Sequence, residues 1–419
     1  MRRFGTHLHA QTLSIPALCA VLAAAAWADD WPQWLGPGRN GISAETGWQA
    51  AFPPNGPKVL WKVNVGVGYS SMAVSKGYLY TLGNRRDVDT LFRFNARTGA
   101  LSWKHPYDCP AIYPKGLLNI YPGPRSTPAI ADGRVYSFSR AGQLFCLDET
   151  KGTVVWSADV RKGPIAAKIP TWGFACSPLV LGRWVILDAG PIVALDKVTG
   201  KLAWKSRHYT PGYSSPVTIS VDGRLCVAAF NGEGLTVVSA ADGKHVLLHP
   251  FRVFYNENCV TPVVSGNQCF VSAGHRPGCA LLKLADEEAT VLWRNRNMLN
   301  HVNNAVLWKG HLYGFHGNVL GFSSLRCVEF ATGKKKWSYG KLGKGALILA
   351  DGKLVIMNGT GELVIAEASP EAFKPLAQAK VLTGTCWTLP VLADGRIYCR
   401  NHNGDVVCLN VRAQPKDSK

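Results

Sequence analysis

The chain has 419 residues, and 47% of them are hydrophobic, which excludes an intrinsically disordered protein. Its 43 glycines and 25 prolines indicate many tight turns and favour an all-β fold. The formal net charge is +19, but the basic residues are scattered through predicted turns without a run of four. We therefore expect a solvated basic surface and no nucleic-acid partner, while association with an anionic envelope or polysaccharide surface stays open.

Residues 1–28 have the features of a secretory signal peptide. Two arginines near the start precede an apolar run over residues 13–26, and a small-residue cleavage signature follows before Asp29. The run is shorter than the roughly 20 residues that a membrane-spanning helix needs, so a membrane anchor is the less favoured alternative. The pattern predicts an exported protein, periplasmic or extracellular, with no transmembrane segment after cleavage.

Residues 29–57 place Trp31 and Trp34 among glycines and prolines. This composition predicts an extended segment that lies on a folded body with its aromatic side chains docked. A ligand-binding arm is the alternative interpretation, and the less favoured one.

Residues 132–156 contain the clearest structural unit of the chain. Short alternating stretches separated by Gly-containing turns indicate three strands, and residues 126–130 add a fourth before them. Four antiparallel strands in about 40 residues are the size of one propeller blade. The stretch therefore predicts a blade.

The same unit recurs along the chain. Eight outer strands are marked by Trp61, Trp103, Trp156, Trp204, Leu247, Trp293, Trp337 and the stretch 375–381. The last inner strands leave too little chain for an outer strand of their own, whereas the strand around Trp61 has no inner strands before it. We predict that residues 59–63 complete the C-terminal blade and close the ring, which removes free sheet edges.

The predicted fold is thus all-β: an eight-bladed propeller of four-stranded antiparallel blades over residues 58–412, followed by a tail at 413–419. Seven blades is the alternative if a degenerate repeat does not form a blade. Because blades pack side by side around one ring, we treat the array as a single domain.

The repeat resembles a known family. Residues 141–156 and 193–204 largely carry the pattern Gly-x-Leu-x-x-Leu-Asp-x-x-Thr-Gly-x-x-x-Trp, which is similar to the pyrroloquinoline-quinone (PQQ) repeat. That family includes quinoprotein alcohol and glucose dehydrogenases, and also a propeller lipoprotein of outer-membrane protein assembly that binds no quinone. The motif residues are structural, so the resemblance implies the fold and leaves the activity open.

Two sets of loops share one face of such a propeller, which we call the channel face. They are the connections between successive blades and the turns between the second and third strands of each blade. The connections supply the candidate ligand-binding residues Tyr69, Arg125, Trp172, Tyr213, Asn256, Glu257, Asn258, His301, Asn303 and Trp387. The turns supply Arg85, Arg86, Asp87, Arg140, His275, Arg276, His316 and His402.

Each group of candidates has a structural alternative. Tyr69 and Tyr213 sit in matching Gly-Tyr-Ser-Ser stretches and could simply cap inner strands. Trp172 and Trp387 could stack on a planar ligand or plug the mouth of the channel. The four histidines could bind a metal or remain solvated in turns.

A PQQ-dependent dehydrogenase would need further residues, as the resemblance implies. The quinone lies between a Trp and, in many members, a disulfide of adjacent cysteines, while Glu, Asn and Asp hold calcium and an Asp acts as base. This sequence has no Cys-Cys dipeptide and no c-type haem motif, although Glu257 with Asn256 or Asn258 could bind calcium.

We therefore interpret the protein as a non-catalytic binding or assembly scaffold of the cell envelope that needs no cofactor. A dehydrogenase with PQQ, calcium and a divergent site is the alternative, and carbohydrate binding is a weaker one. The expected partner is a protein, a small molecule or a glycan, and we expect a monomer.

The cysteines offer one candidate disulfide. Asn403-Gly404 predicts a two-residue hairpin turn. Counting outward from that turn places Cys399 opposite Cys408, at a closely spaced position within reach of a disulfide.

Overall fold

A computed structural model describes residues 30–110, 122–275, 277–319 and 321–413. The predicted signal peptide, Arg276 and residues 414–419 of the predicted tail lie outside this part of the chain. Within it, 33 strands form eight sheets, and the helical structure is confined to a short 3₁₀ turn at Phe254–Asn256. The all-β prediction is confirmed.

The first two strands belong to blades whose other strands come near the end of the chain. They are β1 (Ile42–Ser43) and β2 (Val59–Asn64). Blade 1 contains β3 (Ala73–Ser75), β4 (Tyr78–Arg85), β5 (Val88–Asn95) and β6 (Leu101–Asp108). Blade 2 contains β7 (Ala129–Ala131), β8 (Arg134–Phe138), β9 (Gln143–Asp148) and β10 (Val154–Asp159). Blade 3 contains β11 (Leu179–Leu181), β12 (Trp184–Asp188), β13 (Ile192–Asp196) and β14 (Leu202–Lys205).

The middle blades repeat the same order. Blade 4 contains β15 (Val217–Val221), β16 (Arg224–Asn231), β17 (Gly234–Ser239) and β18 (His245–Pro250). Blade 5 contains β19 (Val263–Ser265), β20 (Gln268–Ser272), β21 (Cys279–Ala285) and β22 (Glu288–Asn295). Blade 6 contains β23 (Val306–Trp308), β24 (His311–His316), β25 (Ser324–Glu329) and β26 (Lys335–Tyr339).

The last two blades recruit the early strands. Blade 7 contains β27 (Gly345–Ala350), β28 (Lys353–Asn358), β29 (Glu362–Glu367) and β30 (Pro375–Lys380), with β1 parallel to β27 as a fifth strand. Blade 8 contains β31 (Val391–Ala393), β32 (Arg396–Arg400) and β33 (Asp405–Asn410). Its outer strand is β2, which pairs antiparallel with β33. The prediction of eight blades closed by the N-terminal strand is confirmed.

The repeat signature holds neighbouring blades together. The Trp156 indole of blade 2 donates from Nε1 to the Lys197 carbonyl of blade 3 at 3.1 Å. Its ring lies on Gly200, where a Cβ atom would come within 2.6 Å. Trp61 and Trp103 make the same contacts to the blades that follow them. The Gly and Trp of the motif are therefore contacts between blades.

Apolar side chains of the inner strands fill the layers between the sheets. Between blades 4 and 5, for example, Phe230 and Val237 pack with Val271 and Leu282, and all four are essentially inaccessible to solvent. Burying one such side chain stabilises the fold by about 1.5–3 kcal/mol. This packing fixes the blades as a rigid support for the loops at either end.

The N-terminal segment crosses the inner strands before it reaches blade 8. Trp31 exchanges two backbone hydrogen bonds of 2.8 Å with Val74 of blade 1, and its side chain is buried. The buried Arg39 guanidinium donates to the carbonyls of Ser177 and Pro178 at 3.2 and 2.9 Å. The segment thus lies deep in the ring, with most of its aromatic side chains docked.

The structure does not place Cys399 opposite Cys408. Cys408 lies opposite Tyr398, and Cys399 lies opposite Val407. Because facing positions alternate between the two sides of a sheet, this one-residue shift puts the two thiols on opposite faces of blade 8. Both are buried free thiols, so the predicted disulfide is a wrong prediction.

The turn explains the shift in register. Asn401 closes it by accepting a hydrogen bond on Oδ1 from the Asp405 amide at 2.8 Å, while its carbonyl accepts from the Gly404 amide at 3.2 Å. The turn therefore spans residues 401–404 instead of the two residues Asn403-Gly404. An Asn side chain that bonds to backbone groups is a local effect that counting from the Asn-Gly pair overlooks.

Candidate functional site

A cavity of about 190 Å³ opens at the channel face on the axis of the ring. Its walls come from the connections between blades, and one wall residue comes from the N-terminal segment. The lining residues that the structure describes are Trp34, Tyr69, Arg125, Trp172, Ala175, Ser177, Tyr213, Ser215, Glu257, Cys259, His301, Val302, Asn303, Val319, Trp387, Thr388 and Leu389. The set is mainly aromatic and apolar with a few charged or polar groups, a composition typical of ligand pockets.

Most of the predicted connection residues meet in this cavity. Those that line it are Tyr69, Arg125, Trp172, Tyr213, Glu257, His301, Asn303 and Trp387. They come from seven of the eight connections and are far apart in the sequence. The repeat pattern predicted that these residues share one face, because equivalent positions in successive blades converge on one axis.

Two predicted residues lie outside the cavity. Asn256 is exposed on the 3₁₀ turn and has a positive φ of 55°. Asn258 is fully buried, and its Nδ2 donates to the carbonyls of Asn231 at 2.6 Å and Phe251 at 3.0 Å. Asn258 therefore braces the connection that carries Glu257.

The predicted turn residues divide between the cavity rim and structural contacts. His275 reaches Glu257, and His402 stacks on Tyr69 with ring centroids 5.0 Å apart. Arg140 is buried instead and donates to the Cys109 carbonyl at 2.7 Å. The remaining turn residues that the structure describes do not line the cavity. His316 accepts a hydrogen bond from the Leu299 amide. Three others are exposed in a hairpin turn, namely Arg85, Arg86 and Asp87.

Glu257 is the centre of the polar part of the site. One carboxylate oxygen, Oε2, lies 3.0 Å from Nε2 of His301 and 3.3 Å from Nε2 of His275. The other oxygen, Oε1, accepts from the Trp172 indole N–H at 3.2 Å. Four different loops thus meet at one carboxylate.

The tautomer of His301 follows from its second nitrogen. The Val319 amide donates to Nδ1 of His301 at 3.2 Å, so in the neutral ring the proton belongs on Nε2. Nε2–H then donates to Glu257. Burial raises the pKa of Glu257, but the His301 hydrogen bond, the electrostatic attraction of the His301 and His275 imidazoles and the Trp172 hydrogen bond outweigh it, so the pKa is lowered.

Two aromatic rings stack in the lining of the cavity. Tyr69 stacks on Trp387 with centroids 6.0 Å apart and planes 25° from parallel. On the adjoining wall, Arg125 donates from Nη1 to the Trp172 carbonyl at 2.9 Å, and the Trp172 amide donates to the Tyr213 hydroxyl oxygen at 3.4 Å. Burial raises the pKa of Tyr213 well above its usual value, so its hydroxyl stays protonated.

The sequence analysis missed several lining residues. Trp34 reaches the cavity from the N-terminal segment and donates from Nε1 to the Thr261 hydroxyl at 3.0 Å. The two tryptophans Trp31 and Trp34 indicated that this segment docks on the folded body. Nothing in the segment indicated which of them packs on the blades and which enters the channel. Cys259 and Val319 lie in loops that vary from blade to blade, where the repeat gives no guidance.

Among the described residues, no helix is long and apolar enough to cross a membrane.

One curated relative is a dehydrogenase subunit. Methanol dehydrogenase (cytochrome c) subunit 1 from Paracoccus denitrificans is 31% identical over 129 residues, which cover 31% of this chain. The match spans only 18% of that relative's length. The similarity therefore covers a few blades and not the whole enzyme.

Solved structures of a BamB protein and of a quinohemoprotein alcohol dehydrogenase share the fold. BamB from Moraxella catarrhalis superposes with a TM-score of 0.61 at 14% identity, covering 84% of this chain and 99% of that one. Quinohemoprotein alcohol dehydrogenase from Comamonas testosteroni superposes with a TM-score of 0.64 at 14% identity, covering 95% of this chain and 82% of that one. At such identity, these likenesses establish the propeller fold alone.

A family model covers most of the propeller. The model described as "Outer membrane protein assembly factor BamB" matches residues 46–167 and 90–339, well over half of the chain. The matched residues contain every strand of blades 1 to 6. The chain belongs to this family of PQQ-like β-propellers.

Proposed function

We propose that this protein is a non-catalytic PQQ-like propeller that acts as an exported binding or assembly scaffold of the cell envelope, with the channel-face cavity as its binding site. The observation that carries the proposal is the state of Glu257. Among the described lining residues it is the one carboxylate, and both of its oxygens already accept hydrogen bonds. The described lining thus has one carboxylate where calcium sites typically use several, which supports a recognition site.

The donor set does not fit PQQ with calcium. Calcium takes six to eight oxygen ligands, typically from several carboxylates. Here one carboxylate is held by two imidazoles and an indole, and the Asn303 amide donates to the Gly345 carbonyl at 2.7 Å. The described cysteines are free thiols, so no disulfide among them is available to stack on a quinone. We derive no redox step through this site.

Two features favour a ligand of another kind. Trp34, Tyr69, Trp172, Tyr213 and Trp387 give the cavity broad apolar faces, and Arg125 adds a positive charge. Aromatic side chains with few rotatable bonds are effective anchors for a protein segment or a sugar ring. A protein partner agrees with the assembly factor named by the family description, and a glycan is the second candidate that the aromatic wall favours.

Variants of the aromatic wall test the scaffold. The tagged chain would be recovered from envelope extracts of the native cells as wild type, as the double variant Trp172→Ala/Trp387→Ala, and as Val198→Ser. Val198 is 70% exposed in the turn after β13, away from the cavity, so it serves as the control. We expect one set of partners to be recovered with wild type and Val198→Ser and lost with the double variant. The same three proteins on a glycan array decide whether the ligand is a sugar.

A quinone assay tests the alternative. The dehydrogenase interpretation gains support from the stretch shared with the methanol dehydrogenase subunit. The purified protein would be mixed with PQQ and calcium chloride, desalted, and assayed for retained quinone and for dye reduction with alcohols and sugars. We expect neither retention nor turnover; stoichiometric retention with turnover would overturn the scaffold proposal.

A further inference from the structure

Three potential metal ligands converge beside the cavity. Glu257 comes from the connection between blades 4 and 5, His275 from the turn between β20 and β21, and His301 from the connection between blades 5 and 6. One donor atom from each lies within 4.8 Å of the other two. Glu257 and His301 line the cavity, so a ligand position between them faces its interior.

Two of the three distances between the donor atoms are close to those around a tetrahedral transition-metal ion, and the third, between the two imidazoles, is within 4.8 Å. With metal–ligand bonds of 2.0–2.1 Å, tetrahedral geometry separates neighbouring donor atoms by about 3.3 Å. Oε2 of Glu257 lies 3.0 Å from Nε2 of His301 and 3.3 Å from Nε2 of His275. Two imidazoles and one carboxylate are also a ligand set that zinc accepts, with a fourth position left for water or a group of a bound ligand.

Neighbouring residues hold the three ligands in place. The Trp172 indole binds Oε1 of Glu257 at 3.2 Å and leaves Oε2 directed at the histidines. Gly274 permits the approach of the two histidines, because a Cβ at this position would lie 2.4 Å from the Cβ of His301. The side chains of Glu257 and His301 are 16% and 8% exposed, which limits their freedom to move apart.

We propose that Glu257, His275 and His301 bind one divalent transition-metal ion of the zinc type, with its open position directed into the cavity. The ion takes the place of the Nε2–H hydrogen bond from His301 to the Glu257 carboxylate. A metal at Nε2 of neutral His301 requires the single ring proton to move from Nε2 to Nδ1, the atom that accepts from the Val319 amide in the metal-free protein. Metal binding therefore changes the tautomer of His301 without releasing a proton from its neutral ring, and it turns the Val319 amide away.

Binding of cobalt and zinc to the purified chain tests the site. The protein would be stripped with a chelator and titrated with Co²⁺, whose visible absorption reports four-coordinate geometry, and then with Zn²⁺ by calorimetry. We expect one ion per chain and displacement of Co²⁺ by Zn²⁺. His275→Gln should weaken zinc binding by roughly a hundredfold, because it removes one of three ligands.

His208→Gln is the matched control, since His208 is exposed in the connection after β14 and far from the cluster in sequence. It should bind zinc as the wild type does, and thermal unfolding must show that both variants are folded. Equal zinc affinity of wild type and His275→Gln would overturn the proposal, as would the absence of a saturable Co²⁺ spectrum. The metal is its own readout, so the result is independent of the scaffold proposal.

Discussion

Asp188 is a buried carboxyl group outside the cavity. It ends β12, and one of its oxygens accepts from the Gly190 amide at 3.2 Å while Oδ2 has no hydrogen-bond partner. Burial raises its pKa to about 7, and the Gly190 hydrogen bond offsets this only in part. The Asp188 carboxyl of the folded protein therefore keeps its proton at pH values at which the same carboxyl is ionised in the unfolded chain.

This proton makes stability depend on pH. Between the ordinary pKa of 3.8 and the folded value of about 7, the folded state binds one proton more than the unfolded state. The free energy of unfolding should therefore fall as pH rises, by up to about 1.4 kcal/mol per pH unit from this group, and level off above pH 7. Urea unfolding at pH 4.5, 5.5, 6.5 and 7.5 measures the slope.

Asp188→Asn should remove this contribution and flatten the slope. Glu287→Gln is the control, because Glu287 is exposed in the turn before β22 and should leave the slope unchanged. If Asp188→Asn and the wild type lose stability in parallel across this range, the carboxyl is ionised in the folded protein and the argument fails.

At the scale of elements, the turns of the repeat serve two different purposes. Gly133 and Gly200 have nearly the same φ, +73° and +71°, a region that residues with a Cβ rarely adopt. A Cβ at Gly133 would meet nothing within 4 Å, whereas a Cβ at Gly200 would lie 2.6 Å from the Trp156 ring. Gly133 is needed for the turn alone, and Gly200 for the turn and for the contact between blades.

Alanine substitutions should separate these two roles. Gly133→Ala should lower the free energy of unfolding by about 1–2 kcal/mol, the strain of one left-handed residue. Gly200→Ala should lower the free energy of unfolding by about 1–3 kcal/mol more than Gly133→Ala does, because the Trp156 indole must move. Chemical denaturation of both variants gives the values, and equal losses would show that the blade contact tolerates a methyl group.

At the scale of the whole molecule, stability depends on the seam where the ring closes. Arg400 of blade 8 is fully buried, and its Nη1 donates to the carbonyls of Ser70 and Leu82 and to the Thr81 hydroxyl at 2.9, 2.5 and 3.0 Å. Burial lowers its pKa to about 9, so it remains charged at neutral pH. One side chain thus satisfies several backbone groups of blade 1.

Arg400→Met should destabilise the protein by about 2–4 kcal/mol, because it leaves buried carbonyls without a donor. Arg412→Met is the matched control in the same blade: Arg412 is half exposed and pairs with Asp394, so its loss should cost less than about 1 kcal/mol. Thermal and urea unfolding measure the stability of both variants. A loss at Arg400 no larger than that at Arg412 would mean that the seam does not depend on this residue.

The sequence by itself determined the number of blades and the way in which the ring closes. Eight turn–strand units, the Trp of the outer strands and the unpaired strand near Trp61 predicted the blade count and the closure through β2 and β33. Such features repeat, and each repeat is stabilised by local turns and by its neighbours in the same way, so one pattern predicts all of them. It also placed eight lining residues of the cavity, since equivalent connections converge on the axis.

Only the tertiary structure decided what differs between blades. It showed that Asn258 braces a loop, that Trp34 enters the cavity, and that Cys399 and Cys408 lie on opposite faces of a blade. It also joined Glu257 to His275 and His301. These contacts join non-equivalent loops or depend on one side chain capping one turn, and a periodic pattern carries no information about either.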